Sequence, residues 1–252
     1  MSLKFLQLNI YKGRLLDKII AFLKREQFDI IQLQEVCSGR FWEQRLDLFQ
    51  ELKNSLPDYH GELAVSWRLK NDPDSYFGNA TFVKSHIKVV SKQTLWLKPY
   101  QEFANPLNTR YELYSRCALI LDIKISNQPL VIINTHLAWG PTPYDKPFKQ
   151  KQAKHLISYL RQLKKLFILA GDFNLIPETK IIKSFDKLGQ NLTVENGITN
   201  TLNPKFHRVK QLFPKGLAVD YIFTHSEIRV KNFELIKEDL SDHYGLRLKF
   251  DS

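Results

Sequence analysis

Polar residues follow apolar runs at several places in this chain, and their side chains are of the kinds that bind metal ions and phosphate. The motifs are Leu8-Asn9-Ile10, Leu33-Gln34-Glu35, Asn134-Thr135-His136-Leu137, Gly171-Asp172-Phe173-Asn174, Val219-Asp220-Tyr221-Ile222-Phe223 and Ser241-Asp242-His243. Buried strands have no packing reason to end repeatedly in Asn, Glu, His or Asp. If the strands deliver these groups to one edge of the fold, they form a cluster suited to metal-assisted phosphate chemistry. The pattern predicts an enzyme.

Glu35 is the strongest candidate for a metal ligand because it ends an apolar run in Leu33-Gln34-Glu35. Asn9 ends the neighbouring predicted strand and could contribute a carbonyl oxygen or hold Glu35. Only oxygen ligands are on offer, so the predicted ion is Mg²⁺ or Mn²⁺ with several waters retained. A glutamate at a strand end is often only solvated, so this prediction depends on the companion motifs.

Asp172 and Asn174 follow an unbroken apolar run at 166–170. Gly171 would permit a tight turn, and the two polar side chains would project to the same side of an extended chain. Asp172 would then orient or deprotonate the attacking water, and Asn174 would donate to a phosphate oxygen. The alternative is an Asx-type turn, which Asp and Asn favour at such positions.

Histidines occupy two of the motifs. His136 could donate a hydrogen bond to the phosphate, although a lone histidine at a strand end is more often structural. Asp242 and His243 are adjacent just before the last predicted strand. Neighbours in an extended chain point to opposite faces, so we expect His243 to pair with Asp220 in an Asp–His dyad. Asp242 would face the metal or a water bound to it.

In their order along the chain, these residues resemble the endonuclease/exonuclease/phosphatase superfamily, which includes DNase I-like nucleases, inositol polyphosphate phosphatases, neutral sphingomyelinases, deadenylases and tyrosyl-DNA phosphodiesterases. The matching set is Asn9, Glu35, His136, Asp172-x-Asn174, Asp220 and Asp242-His243. The resemblance extends from residue 8 to residue 246. It implies an α/β fold, a four-layer sandwich of two mostly antiparallel sheets flanked by helices, with the site at one end.

The resemblance also implies roles for individual residues. Glu35 would bind the metal, and Asp172 and Asn174 would act at the water and the phosphate. His243 with Asp220 would act at the transition state. The implied enzyme is a metal-dependent hydrolase of phosphoric esters.

Weaker matches to the same superfamily are Gly78-Asn79-Ala80, Arg116 and, in part, Lys151-Gln152. Arg116 is an active-site candidate, and the alternative is a surface arginine beside Cys117. The tract at 216–220 lacks the Gly-Trp-Arg that usually precedes the dyad aspartate in exonuclease III-type enzymes. This departure counts against an abasic-site nuclease.

The elements that must position these residues can be predicted from the apolar pattern. Helical spacing predicts helices around 15–23 and 153–163, and a third around 178–188. The stretch 63–135 contains strand patterns without a helix, which favours two packed sheets. The predicted strands are 5–10, 30–33, 63–67, 80–83, 118–125, 130–133, 167–170, 221–224 and 245–250. The loops expected to form the rim of a cleft are 96–114, 139–148 and 203–216.

Composition narrows the classes of protein. A chain of 252 residues with 43% hydrophobic residues fits one domain over 1–252 with a substantial core. No apolar run is long enough for a membrane span, and the N-terminus lacks the layout of a signal peptide. Cys37 and Cys117 are too far apart to indicate a disulfide framework or a zinc site, so a reduced, cytoplasmic setting is expected.

The charge of +11, from 37 Lys and Arg against 26 Asp and Glu, favours a polyanionic partner. The tract 203–216 interleaves basic residues with Phe206 and Phe213, which suits phosphate binding and base stacking. The predicted function is therefore a Mg²⁺-dependent phosphodiesterase acting on nucleic acid. Two alternatives stay open: a phosphoesterase of small molecules or lipid head groups, and a catalytically silent nucleic-acid-binding scaffold. The sequence is silent on the exact substrate and on the oligomeric state.

Overall fold

A computed structural model describes residues 2–41, 45–104, 110–207, 213 and 216–251. The helices of these residues are α1 (Leu16–Glu26), α2 (Leu48–Ser55), α3 (Pro147–Gln162), α4 (Lys180–Asp186) and α5 (Leu192–Glu195). The helices predicted from the apolar stripes are confirmed as α1, α3 and α4. The sequence pattern missed α2 and the short α5. None of the described helices is both long and apolar enough to cross a membrane.

The described part of the chain also contains a series of strands. In chain order they are β1 (Ser2–Asn9), β2 (Ile30–Cys37), β3 (Tyr59–Leu69), β4 (Asp72–Lys84), β5 (Lys88–Lys98), β6 (Gln101–Phe103), β7 (Arg116–Ile125), β8 (Gln128–His136), β9 (Phe167–Asp172), β10 (Gln190–Asn191), β11 (Asp220–Thr224), β12 (Arg229–Ile236) and β13 (Gly245–Asp251). The predicted loop 96–114 is partly wrong, because its first residues belong to β5 and β6 lies within it.

The described strands form two mixed sheets. One has seven strands in the order β12-β13-β1-β2-β4-β3-β6, and the other has six in the order β10-β11-β9-β8-β7-β5. Most neighbouring strands are antiparallel, and the parallel pairs are β1 with β2, β3 with β6, and β8 with β9. Helices flank the pair of sheets, which confirms the predicted α/β sandwich.

Apolar side chains fill the space between the sheets and the two outer layers. Phe5 and Leu248 of the first sheet share one buried cluster with Ile132 and Ile168 of the second. The outer face of the first sheet packs against α1 and α2, and the outer face of the second packs against α3 and α4. Central strands are therefore covered on both sides, and this explains why they have apolar residues on both faces.

Strand register places chemically active residues at one end of the sheets. His136 at the end of β8 is level with Asp172 at the end of β9, because the two strands are parallel. Asp220, the first residue of antiparallel β11, is level with Asp172 on the other side. β1 and β2 are also parallel and bring Asn9 level with Gln34. The ends of several strands thus meet at one site.

Candidate active site

A cleft of about 570 Å³ opens at the end of the sheets where these strands finish. Its polar lining contains seven of the predicted site residues: Glu35, Arg116, His136, Asp172, Asn174, Asp242 and His243. Asn9 and Asp220 lie beneath this lining and are 1% and 0% exposed. All the predicted site residues are therefore brought together, seven facing the cleft and two supporting them.

Asp220 and His243 form a buried pair. The Nδ1 atom of His243 lies 2.8 Å from Oδ2 of Asp220, which is the predicted contact. Thr201 Oγ1 donates to the same carboxylate oxygen at 2.7 Å, and Gln7 Nε2 donates to Oδ1 at 2.9 Å. Burial lowers the pKa of His243, but the carboxylates of Asp220 and Asp172 outweigh it and hold this pKa well above its usual value. These carboxylates therefore favour the charged form of His243.

Asp172 lies at the centre of the contacts in the cleft. Its Oδ2 atom accepts from Asn9 Nδ2 at 3.0 Å and lies 3.4 Å from His136 Nε2 and 3.9 Å from His243 Nε2. Its Oδ1 accepts from the backbone N–H of Asn174 at 2.9 Å. Burial raises the pKa of Asp172 to about 7, although His243 opposes the shift. A carboxyl with a pKa near neutrality can exchange a proton with a water at neutral pH.

The segment after Asp172 turns instead of staying extended. Asn174 has a φ of 52°, in the left-handed region, and its N–H closes an Asx-type turn on the Asp172 carboxylate. The extended arrangement expected from the sequence is therefore wrong, and the turn that was its alternative is present. Both side chains nevertheless line the cleft. The Asn174 amide donates to the Leu137 carbonyl at 3.2 Å in this arrangement.

Gly171 has a different role from the predicted tight turn. It is a residue of β9 with a φ of 154°, and a Cβ atom there would lie 1.9 Å from the backbone oxygen of Thr135. The glycine therefore allows β8 and β9 to approach closely just before their catalytic candidates. The tight-turn prediction was wrong because the turn comes later, at Asn174.

His136 is neutral in this environment. It is 3% exposed, and burial together with the charges of Arg116 and His243 lowers its pKa well below the usual value. Its Nδ1 atom has no hydrogen-bond partner among the described residues. A neutral imidazole can still donate one hydrogen bond, so the predicted donation to a phosphate stays chemically possible.

Glu35 reaches the cleft through a β-bulge. The pairing of β2 with β4 shifts between Leu33 and Val36, and Glu35 has a φ of 60°. Such a bulge redirects a side chain at a strand end.

Tyr11 and Lys12 also line the cleft with positive φ values of 48° and 53°. Backbone strain of this kind is costly and concentrates at functional sites.

Arg116 begins β7 and is buried, with 6% of its surface exposed. The alternative of a surface arginine is therefore wrong. Its guanidinium lies 5.8 Å from the centroid of Phe77, and its Nε has no partner among the described residues. Asn79, in the motif that only weakly indicated the superfamily, donates to the carbonyl of Cys117 at 3.1 Å and joins β4 to β7 beside it. A buried guanidinium in a cleft, with one N–H that has no partner among the described residues, favours an anionic ligand.

Two groups of residues could hold a metal. Asp172, Asp220 and His243 offer ligand atoms within 4.8 Å of one another. However, both Asp220 oxygens and His243 Nδ1 are already engaged in hydrogen bonds. Glu35 and Asp242 instead line the cleft. Burial raises the pKa of Asp242, and Glu35 adds to the effect although His243 opposes it.

Asn9 has a different partner from the one predicted. Its amide nitrogen donates to Asp172, and its Oδ1 accepts from the backbone N–H of Tyr11 at 3.1 Å. No hydrogen bond between Asn9 and Glu35 occurs within the described part of the chain. The expectation that Asn9 holds Glu35 is therefore wrong, while its carbonyl oxygen keeps a second lone pair.

A polar layer beneath the cleft was missed from the sequence. Gln7 Nε2 donates to Gln34 Oε1 at 2.9 Å as well as to Asp220, and Gln34 Nε2 donates to Asn134 Oδ1 at 2.8 Å. These contacts connect both sheets below the catalytic candidates. The available signal was the polar residues inside apolar strands, as in Phe5-Leu6-Gln7-Leu8. Thr201 gave no such signal, because it lies in a polar segment.

The helix motif matched by Lys151-Gln152 is also arranged differently. Gln152 is buried, and its Oε1 accepts from the backbone N–H of Ala138 at 3.0 Å. Lys151 is exposed. The basic residue directed inward is Lys149, which is 0% exposed. Lys149 and Gln152 are both directed inward because residues three apart on a helix share one face.

The rim contains residues from the predicted loops. Trp139 is 53% exposed and lines the cleft, whereas Tyr144 is 50% exposed and lies outside its lining. Phe213 also lines the cleft. Lys205 pairs with Asp239. The remaining basic residues of the tract, Arg208, Lys210 and Lys215, lie outside the described residues.

Comparison with known proteins places this geometry in context. The model of the endonuclease/exonuclease/phosphatase family matches residues 6–243. The "Probable CCR4-Not complex 3'-5'-exoribonuclease subunit Ccr4" of Vairimorpha ceranae (strain BRL01) is 29% identical over 191 residues, which are 69% of this chain and 37% of that protein. The chain thus spans well under half the length of this relative.

Solved structures share the fold over the whole chain. TDP2 of D. rerio in complex with a single-stranded DNA product matches with a TM-score of 0.71 and 19% identity, covering 100% of this chain and 99% of that one. The mannosyl-6-phosphatase of Bacteroides thetaiotaomicron VPI-5482 matches with a TM-score of 0.70 and 17% identity, covering 99% and 100%. At these identities the matches show a common fold.

Proposed function

The chain belongs to the endonuclease/exonuclease/phosphatase family, whose members hydrolyse phosphoester bonds, and we propose that it is a Mg²⁺-dependent phosphodiesterase acting on nucleic acid. One observation carries the proposal. The Asp172 carboxylate lies in the cleft, and its Oδ2 atom is 3.4 Å from Nε2 of His136 and 3.9 Å from Nε2 of His243. A carboxylate and two imidazoles thus surround one point, and burial raises the pKa of that carboxyl to about 7.

The reaction we propose uses each of these groups separately. Asp172 orients a water and accepts its proton during attack on phosphorus. His243, kept charged by Asp220, donates to a phosphoryl oxygen whose negative charge grows in the transition state. His136 and Asn174 donate to the remaining oxygens. No covalent intermediate is required.

Glu35 and Asp242 are the residues we assign to the metal, with Asn9 as a third oxygen donor. Their donor set fits a hard divalent cation, and Mn²⁺ is the alternative to Mg²⁺. The two carboxylates oppose each other's charge in the cleft, and a cation between them would remove this cost. When bound, the ion would neutralise a phosphoryl oxygen and stabilise the leaving oxygen.

The distribution of charge supports a nucleic-acid substrate. Helix α3, which begins beside the cleft, contains several basic residues and no Asp or Glu. Three of them are exposed and form no ion pair with any described residue: Lys151, Lys154 and Arg161. Many other surface cations are paired, as Arg25 is with Glu238. An uncompensated row about 15 Å long along a helix can attract the phosphates of a strand that leaves the cleft.

The relatives support the same choice. The Ccr4 relative is named as an exoribonuclease, and the TDP2 structure contains single-stranded DNA. The cleft also has an exposed aromatic side chain, Trp139, on which a base could stack. Arg116 supplies a buried cation in the cleft lining for an additional phosphate oxygen.

The second candidate is hydrolysis of a small phosphoester. The cleft volume of about 570 Å³ lies within the range of small-molecule sites, and one structural neighbour is a mannosyl-6-phosphatase. A silent scaffold is the weakest candidate, since Glu35, Asp172, Asp220 and His243 are all retained and grouped.

The test is hydrolysis of a panel of substrates with and without Mg²⁺. The panel contains single- and double-stranded DNA, RNA, an inositol polyphosphate, a sugar phosphate, sphingomyelin and an aryl phosphodiester. Glu35→Gln is the inactive control, and Glu62→Gln is the matched control because Glu62 pairs with Lys92 away from the cleft. We expect cleavage of a nucleic acid that EDTA and Glu35→Gln abolish and Glu62→Gln preserves.

Other outcomes separate the candidates. Turnover of only a small phosphoester would replace the nucleic-acid assignment by the second candidate. Hydrolysis that Glu35→Gln leaves intact would refute the metal assignment. Absence of hydrolysis throughout, with Mg²⁺ bound, would favour the scaffold.

A further inference from the structure

Lys149 is a fully buried lysine that the proposed reaction does not use. Its side chain is 0% exposed although α3 lies on the outside of the second sheet. Its Nζ donates to the carbonyl oxygens of Asn174 at 2.7 Å and Thr142 at 3.2 Å. No carboxylate forms an ion pair with it in the described ranges. Burying an ammonium without a counterion is expensive, so its position needs an explanation.

The first acceptor is a strained residue of the candidate site. Asn174 has a φ of 52°, and its two backbone polar groups are both fixed. Its N–H donates to Asp172 Oδ1, and its carbonyl accepts from Lys149. Asparagine adopts left-handed backbone more readily than most residues, and hydrogen bonds from its surroundings fix it in this one conformation. Lys149 supplies one of the two hydrogen bonds that do so.

The second acceptor belongs to the wall of the cleft. Thr142 lies in the segment after β8, between Pro141 and Pro143, both of which line the cleft. Lys149 therefore connects this wall to the turn that carries Asp172 and Asn174. Burial lowers the pKa of Lys149 to about 8, and the Asp172 carboxylate opposes the shift. Its charge is thus retained at neutral pH and is felt at the catalytic candidate.

We propose that Lys149 is a positioning residue that holds the turn at residues 172–174 and the wall of the cleft in the geometry required for attack of water. The inference rests on the proposed hydrolysis. It concerns a residue that is fully buried and lies outside the lining of the cleft. Small displacements of a group that aims a nucleophile lower rates strongly, by about 10²-fold for a shift of 1 Å.

The test compares Lys149→Met, Lys149→Gln and the matched control Lys187→Met. Methionine is apolar and similar in length, and glutamine keeps N–H donors without the charge. Lys187 is exposed and lies outside both α3 and the lining of the cleft. The measurements are kcat, KM, the midpoint of thermal unfolding, and hydrogen exchange of the backbone N–H of Asn174. The exchange measurement does not depend on enzymatic activity.

We expect kcat to fall by about 10²-fold in Lys149→Met, with KM changed only a few-fold. The backbone N–H of Asn174 should exchange with solvent at least about tenfold faster, since its hydrogen bond to Asp172 depends on the turn. The midpoint should fall only modestly, because removal of a buried charge offsets part of the cost of leaving the Asn174 and Thr142 carbonyls without their donor. Lys149→Gln should lie between wild type and Lys149→Met, and Lys187→Met should resemble wild type.

Unchanged kcat and unchanged exchange in Lys149→Met would overturn the proposal. A loss of kcat accompanied by a matching loss of stability, with exchange raised throughout the domain, would show a general structural role and also overturn it. If Lys149→Met does not fold, Lys149→Gln decides between the same outcomes. If wild type hydrolyses nothing, the proposed function fails, and exchange at Asn174 still decides whether Lys149 holds the turn.

Discussion

Replacing Asp220 by asparagine changes the buried acid of the Asp220–His243 pair with minimal change in shape. Asp220 accepts from Gln7 Nε2 at 2.9 Å, Thr201 Oγ1 at 2.7 Å and His243 Nδ1 at 2.8 Å. An asparagine has only one acceptor oxygen. Its NH₂ group must therefore face either Gln7 Nε2 or the pair Thr201 Oγ1 and His243 Nδ1, and the groups it faces lose the acceptor they have in wild type.

The size of the destabilisation in Asp220→Asn follows from the burial of the pair. The side chains of Asp220 and His243 are 0% and 8% exposed, so water cannot replace the lost carboxylate. Removing one member of such a pair destabilises a protein by about 3–5 kcal/mol. The pKa of His243 should fall in the variant, because burial stays and the main attraction is lost. Loss of the charged donor should lower kcat by about 10²–10⁴-fold.

The pH dependence has a definite sign. A histidine whose folded pKa is raised stabilises the fold fully below its unfolded pKa of about 6.5. This stabilisation is lost as the pH rises through the folded pKa. The difference in free energy of unfolding between wild type and Asp220→Asn should therefore be largest at and below about pH 6 and should shrink towards alkaline pH.

Urea unfolding in EDTA across this pH range, with kcat measured in parallel, checks the prediction. Asp47→Asn is the matched control, because Asp47 caps α2 by accepting from the Gln50 N–H at 3.1 Å and asparagine caps equally well. A difference in stability that does not vary with pH would show that His243 is not held as a cation. Retention of kcat within about threefold would refute the role of the pair.

Two further predictions address the substrate and the strand geometry. Removing the exposed charges of α3 should raise KM for long nucleic acids and reduce the slope of log KM against log salt by about 2, while KM for a short phosphodiester stays the same. The test variant is Lys151→Gln/Lys154→Gln/Arg161→Gln, and the control with three charges removed at distant sites is Lys88→Gln/Lys124→Gln/Lys187→Gln. An equal rise in KM in the control would contradict the role of α3. Gly171→Ala should lower the free energy of unfolding by at least about 2 kcal/mol in urea titrations, because its Cβ would lie 1.9 Å from a backbone oxygen. Gly140→Ala, where the nearest atoms are 3.5 Å away, should have little effect, and equal losses in both would refute the steric argument.

The sequence predicted the central strands well because both of their faces are buried. β1, β2 and β9 have apolar residues on both faces for this reason, and polar residues such as Gln7 and Gln34 interrupt the first two where they form the layer beneath the cleft. The edge strands β5 and β12 are largely exposed, so their sequences lack such a pattern and were missed. Helix α2 was missed because its buried residues are only Leu48 and Leu52. The single domain over 1–252 and the cytoplasmic location stay predictions.

The candidate site could be predicted to the extent that its residues end strands. Asp172 and His243 follow or precede apolar runs, so the strand pattern itself places them at one edge. Thr201 and Lys149 could not be found this way. Their partners, Asp220 and Asn174, are distant in sequence, and no local pattern specifies such contacts. Their roles, like those of all the site residues, are proposals.

The floor of the cleft explains how the fold keeps ionisable groups buried there. Gln7 donates to both Gln34 and Asp220, and so joins the two sheets directly beneath His243. Asn134 extends this connection by donating to the backbone carbonyls of Leu33 and Ala80 on the first sheet at 3.1 and 2.8 Å. A hydrogen-bonded layer between two apolar cores resists sliding of one sheet over the other, because a shift would leave buried polar groups without partners. The catalytic candidates come from both sheets, so their mutual distances depend on this layer as much as on their own contacts.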